Sequence, residues 1–339
     1  MTAPGPTPEK ESEIPVVERR VGAPSQPPSA FTNIVVNKID DNIFTAEEST
    51  LWRPLNARGV YGGQLVGQAL SAASSTVDAR KHVHSLHCYF LMKGDNASRI
   101  VYRVEVLRDG ASFSTRLVMA QQHARTVFIL IASFQVPHLG RAIEHQYSMP
   151  IVPRPYQLPT MEEYHAALLL DPRCPARWRP FLEVRTRPST SPLDMRPTIL
   201  PDFFEGLGPV PATRPKYPEL STDRPRQAFW IRTRNPLPDD PVMHAAVLAY
   251  ASDYGLISTA KGHVNIQQMG VIASLDHTVW FHSPFRADEW LLYYVESNRA
   301  ADGRGIAFGM VFQEDGTLVA TVAQEAVVRL ATPRQRSKV

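Results

Sequence analysis

Long apolar runs are absent from this chain of 339 residues. The longest such stretch, Val127–Phe134, has the length of a buried strand, so no membrane insertion is expected. Cysteine is scarce: Cys88 and Cys174 are the two, with no CxxC pair and no disulfide framework, which reads as a reducing compartment. Charge of one sign is scarce too. The 36 Lys and Arg against 33 Asp and Glu leave +3, too little for a nucleic-acid-binding surface. The opening MTAPGPTPEKESEIP lacks the basic start and apolar core of a secretory signal. The 30 prolines and 18 glycines exclude long uninterrupted heptads. No GxSxG occurs, so the nucleophile elbow of serine hydrolases is excluded.

What is present is ordinary globular material, 43% apolar and 9% aromatic. Density along the chain is uneven. Residues 1–30 are rich in Pro, Ser and Glu and are expected to be a disordered extension. A dense segment, 31–136, follows. Residues 137–225 form a proline-studded connector in which one short helix is expected near Met161–Leu170. A second dense segment, 226–331, precedes a polar tail, 332–339.

The two dense segments share a layout. In the first, Gly62–Ser75 reads as a helix with Leu65, Ala69, Ala72 and Ala73 on one apolar face. Strands are expected at His84–Leu91, Ile100–Gly110, Ala111–Gln122 and Thr126–Val136. In the second, Val242–Gly255 reads as the helix, with strands at Ser274–Pro284, Glu289–Gly303, Gly305–Gly316 and Thr317–Leu330. Each copy has one long helix and about 100 residues, so the economical packing is an antiparallel sheet wrapped around that helix, twice, with the two sheets side by side.

Several motifs carry a family resemblance. GVYGGQLVGQAL, HSLHCYFLMKGD, VEVLRDGASFSTRLVMAQQ and IASFQVPH resemble the first half of type II acyl-CoA thioesterases, the TesB-like double-hotdog enzymes. RQAFWIRTRNPLPDD, LAYASD, SLDHTVWFHSPFRADEWLLYYVES and VAQEAVVR resemble the second half. The resemblance implies an α+β double hotdog, two antiparallel sheets each wrapped around a long central helix. It implies hydrolysis of fatty acyl-CoA, taken here as medium to long chain, to free acid and CoA. It also implies a catalytic trio, all from the C-terminal hotdog, that falls on Asp253, Ser274 and Gln324.

The chemistry of those residue types agrees. A thioester carbonyl is already electrophilic, so hydrolysis needs mainly a positioned, activated water. Asp253 offers a carboxylate to accept its proton, and Ser274 and Gln324 offer a hydroxyl and an amide to hold it. Neither a cofactor nor a metal is required. Taken without the resemblance, Asp253 reads as a solvated helix-end residue and Ser274 as a turn or cap. Gln324, inside an apolar strand, demands partners. The first copy's helix, Gly62–Thr76, has no acid, so the N-terminal half is expected to wall the channel.

Other features stay open. Gly59, Gly62 and Gly63 precede the first helix and suit either a tight turn or close approach to a ligand. His82, His84 and His87 cluster, but strand alternation splits them between faces and argues against a shared metal. Trp280, Phe281 and Trp290 read as core aromatics. Lys93, Arg108, Arg116 and Arg286 are candidates for the CoA phosphates. A hotdog hydratase or dehydratase would pair its acid with a histidine, and none lies within a helical turn after Asp253; His263 is ten residues on. A non-catalytic acyl-CoA-binding protein would be expected to have lost part of the trio. The enzyme could instead serve a specialised biosynthetic pathway. Self-association into a homo-oligomer is expected. The closing Ser337-Lys338-Val339 is one residue from the Ser-Lys-Leu peroxisomal address, so peroxisome and cytoplasm are the two expected locations.

Overall fold

The computed structural model describes residues 29–54, 57–187, 191–198, 225–262, 264 and 268–331. The expected N-terminal extension up to residue 28, the tripeptide Ser337-Lys338-Val339 and His263 lie outside the described residues.

The first half begins with a short helix α1 (Ala30–Ile34) and strands β1 (Asn37–Asp40) and β2 (Ile43–Ala46). Helix α2 (Gly62–Ser74) follows, then β3 (His82–Phe90), β4 (Ile100–Asp109), β5 (Phe113–Gln122) and β6 (Arg125–Gln135). The proline-rich stretch contains helices α3 (Met161–Leu170) and α4 (Arg179–Arg185), which pack on each other around Leu168, Cys174, Trp178 and Leu182, and an edge strand β7 (Leu193–Pro197). The second half runs β8 (Arg226–Thr233), α5 (Pro241–Ser252), α6 (Leu256–Ala260), β9 (Met269–Ser274), β10 (Asp276–Phe281), β11 (Leu291–Ala301), β12 (Arg304–Gln313) and β13 (Leu318–Leu330).

The two expected sheets are joined. β3 of the first half pairs antiparallel with β10 of the second, with Thr278 opposite His87 and Val279 opposite Leu86. The result is one antiparallel sheet of 13 strands in the order β1-β2-β4-β5-β6-β3-β10-β13-β12-β11-β8-β7, with β9 added beside β13. Pairing β3 with β10 removes an exposed edge from each half.

Both long helices lie against this sheet and against each other. Burial alternates strictly along β5 and through most of β12, so one face of the sheet is core. Helix α5, PVMHAAVLAYAS, is apolar nearly all round, and its residues from His244 to Ser252 are all buried. Helix α2 is likewise buried beyond the single face that its spacing predicts. Gln64 and Gln68 are fully enclosed on the side of α2 that meets α1, the segment at Thr50–Trp52 and β4. Their polar atoms are satisfied. Gln64 Nε2 donates to the carbonyls of Asn33 and Thr50, and Gln68 Oε1 accepts from Tyr102 Oη at 2.6 Å.

Glycines on α2 set how closely the helices approach. A Cβ at Gly63 would overlap the Tyr250 carbonyl, and one at Gly67 would stand 2.9 Å from the Ala246 carbonyl. Gly63 and Gly67 are four residues apart, as are Tyr250 and Ala246 in the opposite order, so the helices run antiparallel along this seam.

One aromatic expectation needs correction. Trp280 is 37% exposed on the outer face, edge-on to His87, because it alternates with the inward-facing Val279. Trp290 is half-buried and packs against the buried cluster of Ala228, Trp230, Leu292 and Phe312, as expected, with the guanidinium groups of Arg232 and Arg196 at 4.3 and 5.3 Å from its ring centroid.

Candidate active site

The antiparallel helix pair brings the end of α5 to the start of α2. Asp253 is the C-cap of α5, with helical φ and ψ of −71° and −12°. The chain then turns through Gly255 at φ +87°, a conformation that favours glycine, into α6. The Asp253 carboxylate crosses to the other half of the molecule, where its Oδ2 accepts from the Gly63 backbone N–H at 2.8 Å. Gly62 has to be glycine here, since a Cβ would stand 2.8 Å from Asp253 Oδ2 and 3.0 Å from the Phe90 ring. Close approach, not a turn alone, therefore explains the Gly62-Gly63 pair: Gly62 lies against the acid and Gly63 against the Tyr250 carbonyl.

Ser274 and Gln324 arrive from neighbouring strands. Ser274 ends β9, opposite Ala326 of β13, two residues from Gln324. The expected single strand Ser274–Pro284 is broken at Leu275. Leu275 N–H donates to the Glu325 carbonyl, and the Leu275 carbonyl accepts from Phe90 N–H, so the chain changes partners there. Gln324 is 2% exposed, and its Nε2 donates to Ser274 Oγ at 2.8 Å.

The Gln324 amide also lies close enough to Asp253 to favour its ionised form. The three residues suggested by the motifs thus meet in one place. Asp253 Oδ1 is buried and has no hydrogen bond of good geometry from the described residues, which leaves it free to accept from a water or ligand.

Burial dominates the electrostatics. Desolvation raises the Asp253 pKa above its ordinary value, partly offset by His277, Gln324 and the Gly63 amide. The C-terminal end of α5 carries negative partial charge that opposes ionisation, while the N-terminal end of α2 favours it. Tyr61, the residue before α2, donates from Oη across to the Tyr250 carbonyl of α5 at 3.2 Å, and burial pushes its pKa up.

His277 was not legible as a site residue. It is fully buried on β10, beside Asp253. Its Nδ1 is 2.7 Å from Gln324 Oε1 and its Nε2 is 2.8 Å from Ser252 Oγ. Reading along the helix alone finds no histidine near the acid; the fold supplies one from a strand. An inward-facing histidine alternating with Val279 was the available signal, since a buried ring needs partners. With both nitrogens engaged and the ring enclosed, His277 does not face a substrate as a hydratase histidine would.

The basic candidates divide. Arg116 is 2% exposed and held by Asp109, Thr76 and the Arg108 carbonyl. Arg286 is engaged by Asp239 and Asp288. Neither is free to meet a phosphate. Of the histidine cluster, His84 Nε2 bonds Ser133 Oγ at 2.8 Å and His87 packs against Trp280. Among the described residues, no helix is long and apolar enough to cross a membrane.

Comparison with known proteins adds a family. Residues 215–327 match the acyl-CoA thioesterase model and residues 50–135 match the acyl-CoA thioesterase N-terminal domain model. The chain is 37% identical to acyl-coenzyme A thioesterase 8 of Homo sapiens over 94% of this chain and 96% of that one. It is 38% identical to acyl-CoA thioesterase 2 of Haemophilus influenzae over 87% of this chain and 95% of that one. Among solved structures it resembles an acyl-CoA thioesterase II from Mycobacterium marinum, with TM-score 0.67, 34% identity, and coverage of 90% of this chain and 98% of that one. A hot dog fold protein from Alicyclobacillus acidocaldarius, 18% identical with TM-score 0.65, shares the fold.

Proposed function

The chain belongs to the acyl-CoA thioesterase family, and from that premise we propose that it hydrolyses fatty acyl-CoA of medium to long chain to free acid and CoA through a water activated by Asp253, Ser274 and Gln324. The observation that carries this reading is the meeting of a buried carboxylate, a hydroxyl and an amide at the contact between α5, β9 and β13. Asp253 takes a proton from the water as its oxygen attacks the thioester carbonyl. Ser274 and Gln324 hold the water in line, which replaces the entropy of a free encounter with fixed geometry. The tetrahedral adduct then collapses, the C–S bond breaks, and the CoA thiolate leaves and takes up a proton. No residue becomes acylated, and no metal or cofactor takes part.

The test is CoA release from dodecanoyl-CoA by the full chain in the presence of a chelator. The wild type is expected to turn over. Asp253→Asn should lower kcat by at least about 10², the range for loss of a general base. Ser274→Ala and Gln324→Ala should each cost less. Near-normal turnover by Asp253→Asn would remove Asp253 from the mechanism.

Location and assembly are part of the same proposal. A relative from Saccharomyces cerevisiae, 26% identical over 83% of this chain, is named a peroxisomal acyl-coenzyme A thioester hydrolase. Together with Ser337-Lys338-Val339, that favours the peroxisome over the cytoplasm for this chain. Valine for leucine at the last position removes one methylene, about 0.8 kcal/mol of burial, a weakening and not a loss. An N-terminal fluorescent fusion should be punctate with the tripeptide and diffuse without it; diffuse signal from both places the protein in the cytoplasm. The chain is further proposed to associate as a homo-oligomer.

A further inference from the structure

Gln324 is useful to the reaction in only one of its two amide orientations. With Nε2 toward Ser274 and Asp253, it donates to Ser274 Oγ, lies close enough to the carboxylate to favour its ionised form, and leaves the Ser274 proton free for the water. With the amide reversed, a carbonyl oxygen would face the carboxylate, and Ser274 would donate its proton to Gln324. The two ends of an amide are nearly the same size, so packing alone does not choose between them.

We propose that His277 is a positioning residue that holds Gln324 in the productive orientation by donating from Nδ1 to Oε1, and that Ser252 in turn fixes the ring. This deepens the water-activation reading above and rests on it. In the productive orientation Oε1 only accepts, so its 2.7 Å approach to Nδ1 requires the proton on Nδ1. Ser252 Oγ lies 2.8 Å from Nε2 and 2.9 Å from the Ala249 carbonyl, and it has one proton to give. If that proton goes to Nε2, the ring is neutral. If it goes to Ala249, Nε2 donates to Ser252 and the ring is charged. Nδ1 carries a proton in both of these states, and the Gln324 orientation holds in both; only the neutral tautomer with its proton on Nε2 would reverse the amide, and a proton donated by Ser252 to Nε2 excludes it.

The supporting shell is itself fixed. The Ser252 carbonyl accepts from Tyr293 Oη at 2.7 Å, and the His277 carbonyl accepts from Cys88 Sγ of the first half at 3.1 Å. His277 and Ser252 are both fully buried. Desolvation lowers the His277 pKa despite the nearby Asp253, which favours the neutral ring. The His277 ring is fully buried, so it meets the water through Gln324, and its one direct effect on Asp253 is electrostatic.

The position of the donor provides the test. Asparagine carries its NH₂ at the δ position, where His277 has Nδ1; glutamine carries it one bond further out. In steady-state kinetics of the full chain on dodecanoyl-CoA, His277→Gln and His277→Leu should lower kcat about 10- to 100-fold with KM within about threefold, the size of one or two hydrogen bonds lost in the transition state. His277→Asn should restore most of that kcat. In a Gln324→Ala background, Asn and Gln at 277 should perform alike, because the amide they would orient is gone. Equal kcat for His277→Asn and His277→Gln, or a persistent difference without Gln324, would overturn the inference. So would a change confined to KM. Asp253→Asn assayed alongside separates the two levels. If it is active, the trio reading falls and the inference with it. If it is inactive while His277→Gln and His277→Leu run at wild-type rate, the inference alone falls.

Discussion

A carboxylate closed away from water at the negative end of a helix titrates late, and at Asp253 this has two consequences with opposite signs. A general base works ionised, so turnover should rise with pH through a pKa that burial has raised above 3.8. The acid limb of kcat/KM should therefore lie above the ordinary carboxylate range; a limb at or below 4 would show that the carboxyl is not desolvated. Stability runs the other way. A folded-state pKa above the unfolded one means that the folded state holds the proton more tightly. The resulting stabilisation is present below the unfolded value and is lost as pH rises through the folded one. At neutral pH the ionised Asp253 thus costs stability. Asp253→Asn keeps an acceptor for the Gly63 N–H and removes the charge, so it should melt no lower than the wild type at pH 7 while losing activity. A melting temperature several degrees lower at pH 7 would contradict this. None of it was visible from the residue itself: the Asp253 position came from the YASD motif, and without the motif it reads as an ordinary helix end. His277 had no motif to speak for it, since its partners Ser252 and Gln324 are 25 and 47 residues away.

Among the elements, the two long helices and most strands were legible because apolar periodicity and Gly and Pro punctuation mark them locally. Helix α2 ends one residue from its expected boundary, and β13 begins one residue from its own. The edge strands β1 and β7, their neighbours β2 and β8, and the split between β9 and β10 were not legible. An edge strand needs little apolar pattern, with all four residues of β1 exposed, and the break at Leu275 is dictated by which neighbours β9 and β10 find. Nor does periodicity show that two buried helices touch, which is the contact the site depends on. Gly63→Ala tests that contact. The new Cβ would meet the Tyr250 carbonyl and stand 2.6 Å from the Tyr61 ring, so α2 must retreat from α5 and lengthen the Gly63–Asp253 hydrogen bond. Stability should fall by about 1–3 kcal/mol, as overpacking usually costs, and kcat should fall with it. Gly94→Ala is the control, because its Cβ finds nothing nearer than 3.4 Å. If both variants melt alike, the helix contact is looser than the structure has it.

On the scale of the whole molecule, the seam between the halves has an outer face as well as an inner one. Inward, Leu86, Cys88, His277 and Val279 are buried against the helices and the site. Alternation turns their neighbours outward, where Tyr89, Ile131 and Trp280 are 55%, 43% and 37% exposed. The register places them together, with His87 opposite both Ile131 and Thr278. Single exposed apolar residues are common, but a contiguous group on a flat sheet face is what association covers. The proposed homo-oligomer is therefore expected to use this face, as a second copy of the chain bringing the same patch to a twofold contact. Light scattering at micromolar concentration should give at least twice the 37.9 kDa chain mass. Ile131→Lys with Trp280→Lys should shift the population to monomer. These side chains are exposed in the single chain, so replacing them should change its melting by little. Activity should persist in the monomer, because the site's residues come from one chain: Asp253, Ser274 and Gln324 from the second half, and the Gly63 amide from the first. A clean wild-type monomer would refute the oligomer. An intact oligomer carrying both lysines would move the interface elsewhere on the surface.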